Sequence, residues 1–167
     1  MASSGIGTLL IGRPDTEQTT EDASILLILA GDNCSNAINA ALTHAKSTSQ
    51  HLRVIQILAS DLYHYGHHDL VATRPSKREF LLYIRDEVID RGKAEIQALE
   101  QAADKMSVSL EVHTVESEDM LAPALDEARK GYDVIFLPKG KRKIFPLFKV
   151  TLAKYLQRKV PAKIIPC

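Results

Sequence analysis

The sequence has only two cysteines, Cys34 and Cys167, too few for a disulfide framework or a four-cysteine zinc site. No apolar run approaches the roughly 18 residues that cross a bilayer. The N-terminus lacks a basic start followed by an apolar stretch, so no secretory signal is expected. A reducing cytoplasm is the simplest compartment. No serine stands in a Gly-x-Ser-x-Gly nucleophile elbow, and the pattern gives no reason to expect an enzyme. Acids are missing altogether from Lys139 to Cys167. That stretch instead carries Lys139, Lys141, Arg142, Lys143, Lys149, Lys154, Arg158, Lys159 and Lys163. All 21 acidic residues lie before it, balancing 21 basic residues overall. A domain-wide basic field is therefore absent, and nucleic acid is not the expected partner. The basic stretch reads as a solvated face, with an anion site as the sharper alternative.

What is present suits one ordinary domain. The chain has 167 residues, 45% apolar and 25% charged. Residues 1–23 read as an N-terminal extension, either disordered or an added strand, around the short run Thr8-Leu9-Leu10-Ile11. The domain proper is expected over 24–167.

Ile25 to Leu29 is a continuous apolar run, as in a strand buried on both faces. Gly31-Asp32-Asn33 is a turn signal, and Ser35 can cap a helix carrying Ala37, Ala40, Ala41 and Ala45. Leu52 to Leu58 reads as a second strand, followed by a polar, histidine-rich loop from Asp61. A long helix is expected from about Ser76 to Met106, with Phe80, Ile84, Val88, Ile96, Leu99 and Ala103 as its apolar positions. Glu111 to Val115 is a third strand. Glu118 and Asp119 open a helix that Gly131 ends, with Pro123 near its first turn. Val134 to Leu137 is a fourth strand, Pro146 to Lys159 a final helix, and Lys163 to Ile165 a last short strand. Strands alternating with helices imply parallel pairing through right-handed crossovers. Ligands would then meet the loops after Leu29, Leu58, Val115 and Leu137, at the carboxyl ends of the strands.

These residues resemble the universal stress protein family from Ser24 to Cys167. The resemblance rests on Ile25-Leu26-Leu27-Ile28-Leu29-Ala30-Gly31-Asp32 leading into an alanine-rich helix, and on the long loop and helix that follow the second strand. It rests also on Gly131-Tyr132-Asp133-Val134-Ile135-Phe136-Leu137, and on the ending Leu156 to Pro166. It implies an α/β fold, an open five-stranded parallel sheet with helices on both faces. It also implies a homodimer in which Lys163, Ile164 and Ile165 help make the contact.

One branch of that family binds ATP through glycine, two residues, glycine, nine residues, then glycine and serine or threonine. Glycines let the backbone approach phosphates, and main-chain N–H groups hold the anion. With Gly140 as the second glycine, the first position is Leu137 and the final pair is Val150-Thr151. Only Gly140 and Thr151 match, so the chain resembles the branch lacking the full motif, and no cofactor is expected. The alternative is an ATP- or AMP-binding sensor. It would use the basic loop 138–143 with Lys139, Gly140, Lys141, Arg142 and Thr151, and Asp32 and Ala59 where such relatives hold adenosine. The expected function is a non-enzymatic, dimeric stress-response adaptor with an unknown protein partner. A regulatory domain of a transporter is a further alternative.

Other chemistry is weaker. His64, His67, His68 and Asp69 are metal-type donors without helical spacing, so no metal site is expected. His44 and His51 are expected to face solvent, and His113 to be a satisfied strand histidine. Cys34 stands near a helix N-terminus, which can activate a thiol, but reads better as a small residue in a tight loop. Phe145, Phe148 and Tyr155 are expected to form a core face with Leu147, Val150, Leu152 and Leu156, leaving the lysines outside.

Overall fold

The computed structural model describes residues 24–31, 34–59, 74–117, 119–139 and 151–167. The extension 1–23, Asp32, the histidine loop and the segment 140–150 lie outside the described residues. Strands and helices alternate: β1 (Ile25–Ala30), α1 (Ser35–Thr48), β2 (Leu52–Ala59), α2 (Arg74–Met106), β3 (Leu110–Ser117), α3 (Leu121–Ala128), β4 (Val134–Leu137), α4 (Leu152–Lys159) and β5 (Lys163–Pro166). The five strands form one sheet in the order β3-β2-β1-β4-β5. Every pairing is parallel, with Ile25 opposite Leu52 on one side and Val134 on the other.

The expected α/β architecture is therefore observed, and its physical basis is the pattern of β1. Ile25, Leu27 and Leu29 enter one core, and Leu26 and Ile28 enter the other. A central parallel strand has no solvent face, which is why the run is unbroken rather than alternating. The first core holds Ala37, Ala41 and Ala45 of α1 with Leu99 and Ala103 of α2. The second holds Ala124 and Ala128 of α3 with Leu156 of α4. Alanines at the contact let α1 lie against the sheet without displacing it.

Several helix ends differ from expectation. The N-cap of α1 is Cys34, and Ser35 is already helical. The final helix starts at Leu152, not at Pro146: Thr151 is extended at φ −90° and its Oγ1 accepts from Lys154 N–H at 3.4 Å, so the cap marks the start. Of the expected core face, Leu156 is buried with Leu152 and Tyr155 packed beside it; Phe145, Leu147, Phe148 and Val150 lie outside the described residues.

The larger difference concerns α2. Its 33 residues span about 50 Å at 1.5 Å per residue, whereas the 8 residues of β2 span about 27 Å. The helix outruns the sheet. Leu99 and Ala103 are buried as expected, but Phe80 is 50% exposed. The periodicity of the sequence continues past the point where there is a sheet to receive it.

Candidate functional site

The strand order reverses between β1 and β4, which defines the switch point where open α/β sheets take ligands. The carboxyl edge there is built from Gly31, the end of β2 at Ala59, the loop after β3, Pro138 and Lys139 after β4, and Thr151. Cys34 is 2% exposed and its Sγ donates to Gly31 O at 3.6 Å, which holds the turn below α1 closed. That is the tight-loop role expected of it.

Lys139 is exposed at the end of β4. Its backbone N–H donates to Cys167 O, and Cys167 N–H donates to Leu137 O at 2.9 Å. Pro138 has no N–H. The two positions that follow β4 thus present no free main-chain donor to an anion. Leu137 itself is 1% exposed and belongs to the second core. Where the nucleotide-binding pattern needs a glycine, this chain has a core side chain. Gly140, Lys141 and Arg142 lie outside the described residues, and Thr151 is committed to capping α4.

Glu116 near the end of β3 and Asp119 beyond it are also spoken for, while Glu118 lies outside the described residues. Glu116 Oε2 accepts from Arg85 Nη2 at 2.8 Å and Nε at 3.3 Å. The hydrogen bond and charge of Glu116 raise the Arg85 guanidinium above its ordinary value. Asp119 Oδ1 accepts from Leu121 N–H at 2.7 Å and Ala122 N–H at 3.0 Å, capping α3. Ser117 Oγ in turn accepts from Asp119 N–H at 3.4 Å.

A second polar cluster lies at the opposite, amino edge of the sheet, and nothing in the motif reading pointed to it. Glu127, in the last turn of α3, is 4% exposed. Its Oε1 accepts from Tyr132 Oη at 2.6 Å and its Oε2 from Lys130 Nζ at 2.7 Å. Arg53 Nε lies 2.8 Å from Oε1, held by charge rather than by an aligned hydrogen bond. Arg53 Nη1 also donates to Glu111 Oε2 at 3.0 Å. Burial pushes the Glu127 carboxyl up, but hydrogen bonds from Lys130 and Tyr132 and the Arg53 charge outweigh it, leaving the group below its ordinary value. Burial and the bond to Glu127 push Tyr132 well above the usual phenol range. The sequence signal was faint: one arginine inside an apolar strand, and Glu127 three residues before Lys130.

The remaining histidines divide. His51 is not free in solvent: its Nδ1 hydrogen-bonds Ser109 Oγ at 2.8 Å. His44 is half-buried with its ring 5.5 Å from that of Phe136. His113 is exposed on the edge strand β3 rather than enclosed. Among the described residues no group of three or more metal-type side chains converges. Nor is any described helix long and apolar enough to cross a membrane.

No family model and no curated protein matches the sequence. The fold does match solved structures. One is a protein of the universal stress protein family from Burkholderia pseudomallei, 22% identical, with a TM-score of 0.57 over 87% of this chain and 97% of that one. Another is the universal stress protein UspA from Lactobacillus plantarum, 15% identical, with a TM-score of 0.61 over 86% of this chain and 97% of that one. The chain has the fold of the universal stress proteins, an α/β sheet of parallel strands covered on both faces.

Proposed function

We propose that the protein is a universal-stress-type module that works as a homodimer and acts by binding a partner, without turnover. The observation that carries this reading is the outer edge of β5, on which no strand pairs among the described residues. Lys163 N–H donates to Asp133 O and Cys167 N–H to Leu137 O, both at 2.9 Å, so this side of the strand is spent on β4 and its approaches. Alternation along the strand turns Ile164 and Pro166 outward. Pro166 has no N–H, which leaves Ile164 as the outward donor of β5. An edge strand with a free donor is a template for a second chain. Ile164 and Ile165 are only half-buried, and a partner strand would cover both.

Ile164→Pro tests this directly. It removes the outward N–H without touching the ladder to β4, and proline is tolerated on an edge. Sedimentation equilibrium should show a dimer for the wild type and a monomer for the variant, with the same far-ultraviolet circular dichroism. A wild type that is already monomeric sinks the reading.

The sensor reading, with ATP or AMP on the 138–143 loop, has less support. Lys139 offers an exposed cation, but the main chain beside it is occupied and Leu137 fills the first glycine position. Denatured protein is expected to release no stoichiometric adenine nucleotide, and ATP titrated to millimolar levels should give no saturable signal in calorimetry. Micromolar binding that is lost in Lys139→Ala would establish the sensor instead.

A further inference from the structure

We infer that the N-terminal half of α2 carries the docking surface for the partner, and that this partner presents a basic, apolar polypeptide segment. The inference rests on the adaptor reading above and supplies its binding face. Glu79, Leu82, Tyr83, Asp86, Glu87 and Asp90 follow the spacing i, i+3, i+4, i+7, i+8, i+11, which places them on one side of a helix. All six are exposed. Leu82 is 49% and Tyr83 63% exposed, and Phe80 at their margin is 50% exposed. Leu81, Ile84, Val88 and Ile89, away from that side, are the half-buried positions. The helix therefore turns one apolar stripe inward and keeps a second, smaller one outside.

Large apolar side chains clustered on a surface mark an interaction site more often than chance. Here acids outnumber cations around the patch. Four acids frame Leu82 and Tyr83, and two exposed cations flank the face, Arg78 one turn before Leu82 and Lys93 just past Asp90. Arg85 is drawn to the other side by Glu116, at 2.8 Å. Asp90 is partly offset by Lys93 at 3.6 Å. Glu79, Asp86 and Glu87 have no ion pair among the described residues. An acidic rim repels phosphate, so neither a nucleic acid nor an anionic bilayer fits this face. A segment with leucine-like anchors and lysine or arginine flanks does: the aromatic and aliphatic groups fill the centre, and the charges pair at the rim and steer the encounter.

The test uses the full chain and a synthetic amphipathic helix of leucine and lysine, with its leucine–glutamate counterpart as control, each fluorescently labelled. Anisotropy should show the lysine peptide binding at least about tenfold more tightly, with affinity falling as salt rises. Leu82→Ser/Tyr83→Ser should lower that affinity about tenfold with no change in melting temperature, because both side chains are exposed. Glu79→Lys/Asp86→Lys/Glu87→Lys should reverse the preference toward the glutamate peptide. Equal binding of both peptides, or wild-type affinity in either variant, overturns the inference. So does a wild-type dimer that dissociates in Leu82→Ser/Tyr83→Ser, which would assign the patch to a second copy. The β5 dimer is read separately through Ile164→Pro, so the docking surface and the dimeric reading fail independently.

Discussion

Glu127→Ala is expected to lower stability by about 3–5 kcal/mol, the usual result of removing one partner from a buried ion pair. The carboxylate receives Lys130, Tyr132 and the charge of Arg53, and it is 4% exposed. Alanine leaves the Tyr132 hydroxyl without its acceptor and one side of the Arg53 guanidinium without its counter-ion. Tyr132 is 7% exposed, so water replaces little of what is lost. Glu111 retains its contact with Arg53 and limits the damage. At roughly 2–4 °C per kcal/mol for a chain of this size, the melting temperature should fall by about 6–20 °C. Urea unfolding, with the midpoint shifted and the slope unchanged, is the measurement. A midpoint within experimental error of wild type would show that the cluster contributes nothing net.

The same group predicts a pH dependence whose sign follows from its shift. The folded carboxyl lies below its ordinary value of 4.5. Between the two values the unfolded chain binds a proton that the folded chain does not, so stability rises with pH. The contribution is present above the unfolded value and is lost as pH falls through the folded one. Glu127→Gln, which keeps the shape but not the charge, should flatten the acid limb of the stability profile below about pH 4.5. A limb of unchanged steepness would assign the acid sensitivity to other carboxylates.

The fold was legible because each β-element announced its burial. The unbroken apolar run of β1 required two covered faces, and alternation with helices required parallel strands. What was not legible were relations across the sheet. The apolar period of α2 reads the same over Phe80–Val88 as over Ile96–Ala103, because periodicity reports amphipathicity and not the length of the surface that meets it. Only the strand length reveals that the helix runs on past the end of β2. The Glu127 cluster joins β2, β3 and α3, and no spacing in the sequence couples Arg53 to a residue so far along the chain. At the carboxyl edge, the missing glycine was readable at Leu137. The donor that Lys139 gives to Cys167 was not, because it depends on where β5 ends.

Gly92→Val is expected to be the other severe change, by about 3 kcal/mol, while Gly92→Ala should be nearly neutral. At Gly92 α2 lies close against β2. A Cβ built there would stand 2.6 Å from Leu58 Cδ2, 3.3 Å from Gln56 Nε2 and 3.4 Å from Gln56 Oε1. Alanine meets mainly the end of a flexible, half-buried leucine, which can rotate away, and it returns about 1 kcal/mol of helix propensity. Valine adds branches that reach Gln56. That side chain is 2% exposed, and its Nε2 donates to Gly92 O at 2.9 Å while its Oε1 accepts from Thr114 Oγ1 at 3.3 Å. Displacing it strands a buried amide, and losses of about 1–3 kcal/mol follow from that alone. Urea midpoints for the two variants should therefore separate widely. Equal midpoints would mean that the helix can shift outward at no cost. The crossing also sets the direction in which residues 74–90 leave the sheet. A valine that lifts α2 should consequently weaken binding of the leucine–lysine peptide even at temperatures where the variant is fully folded.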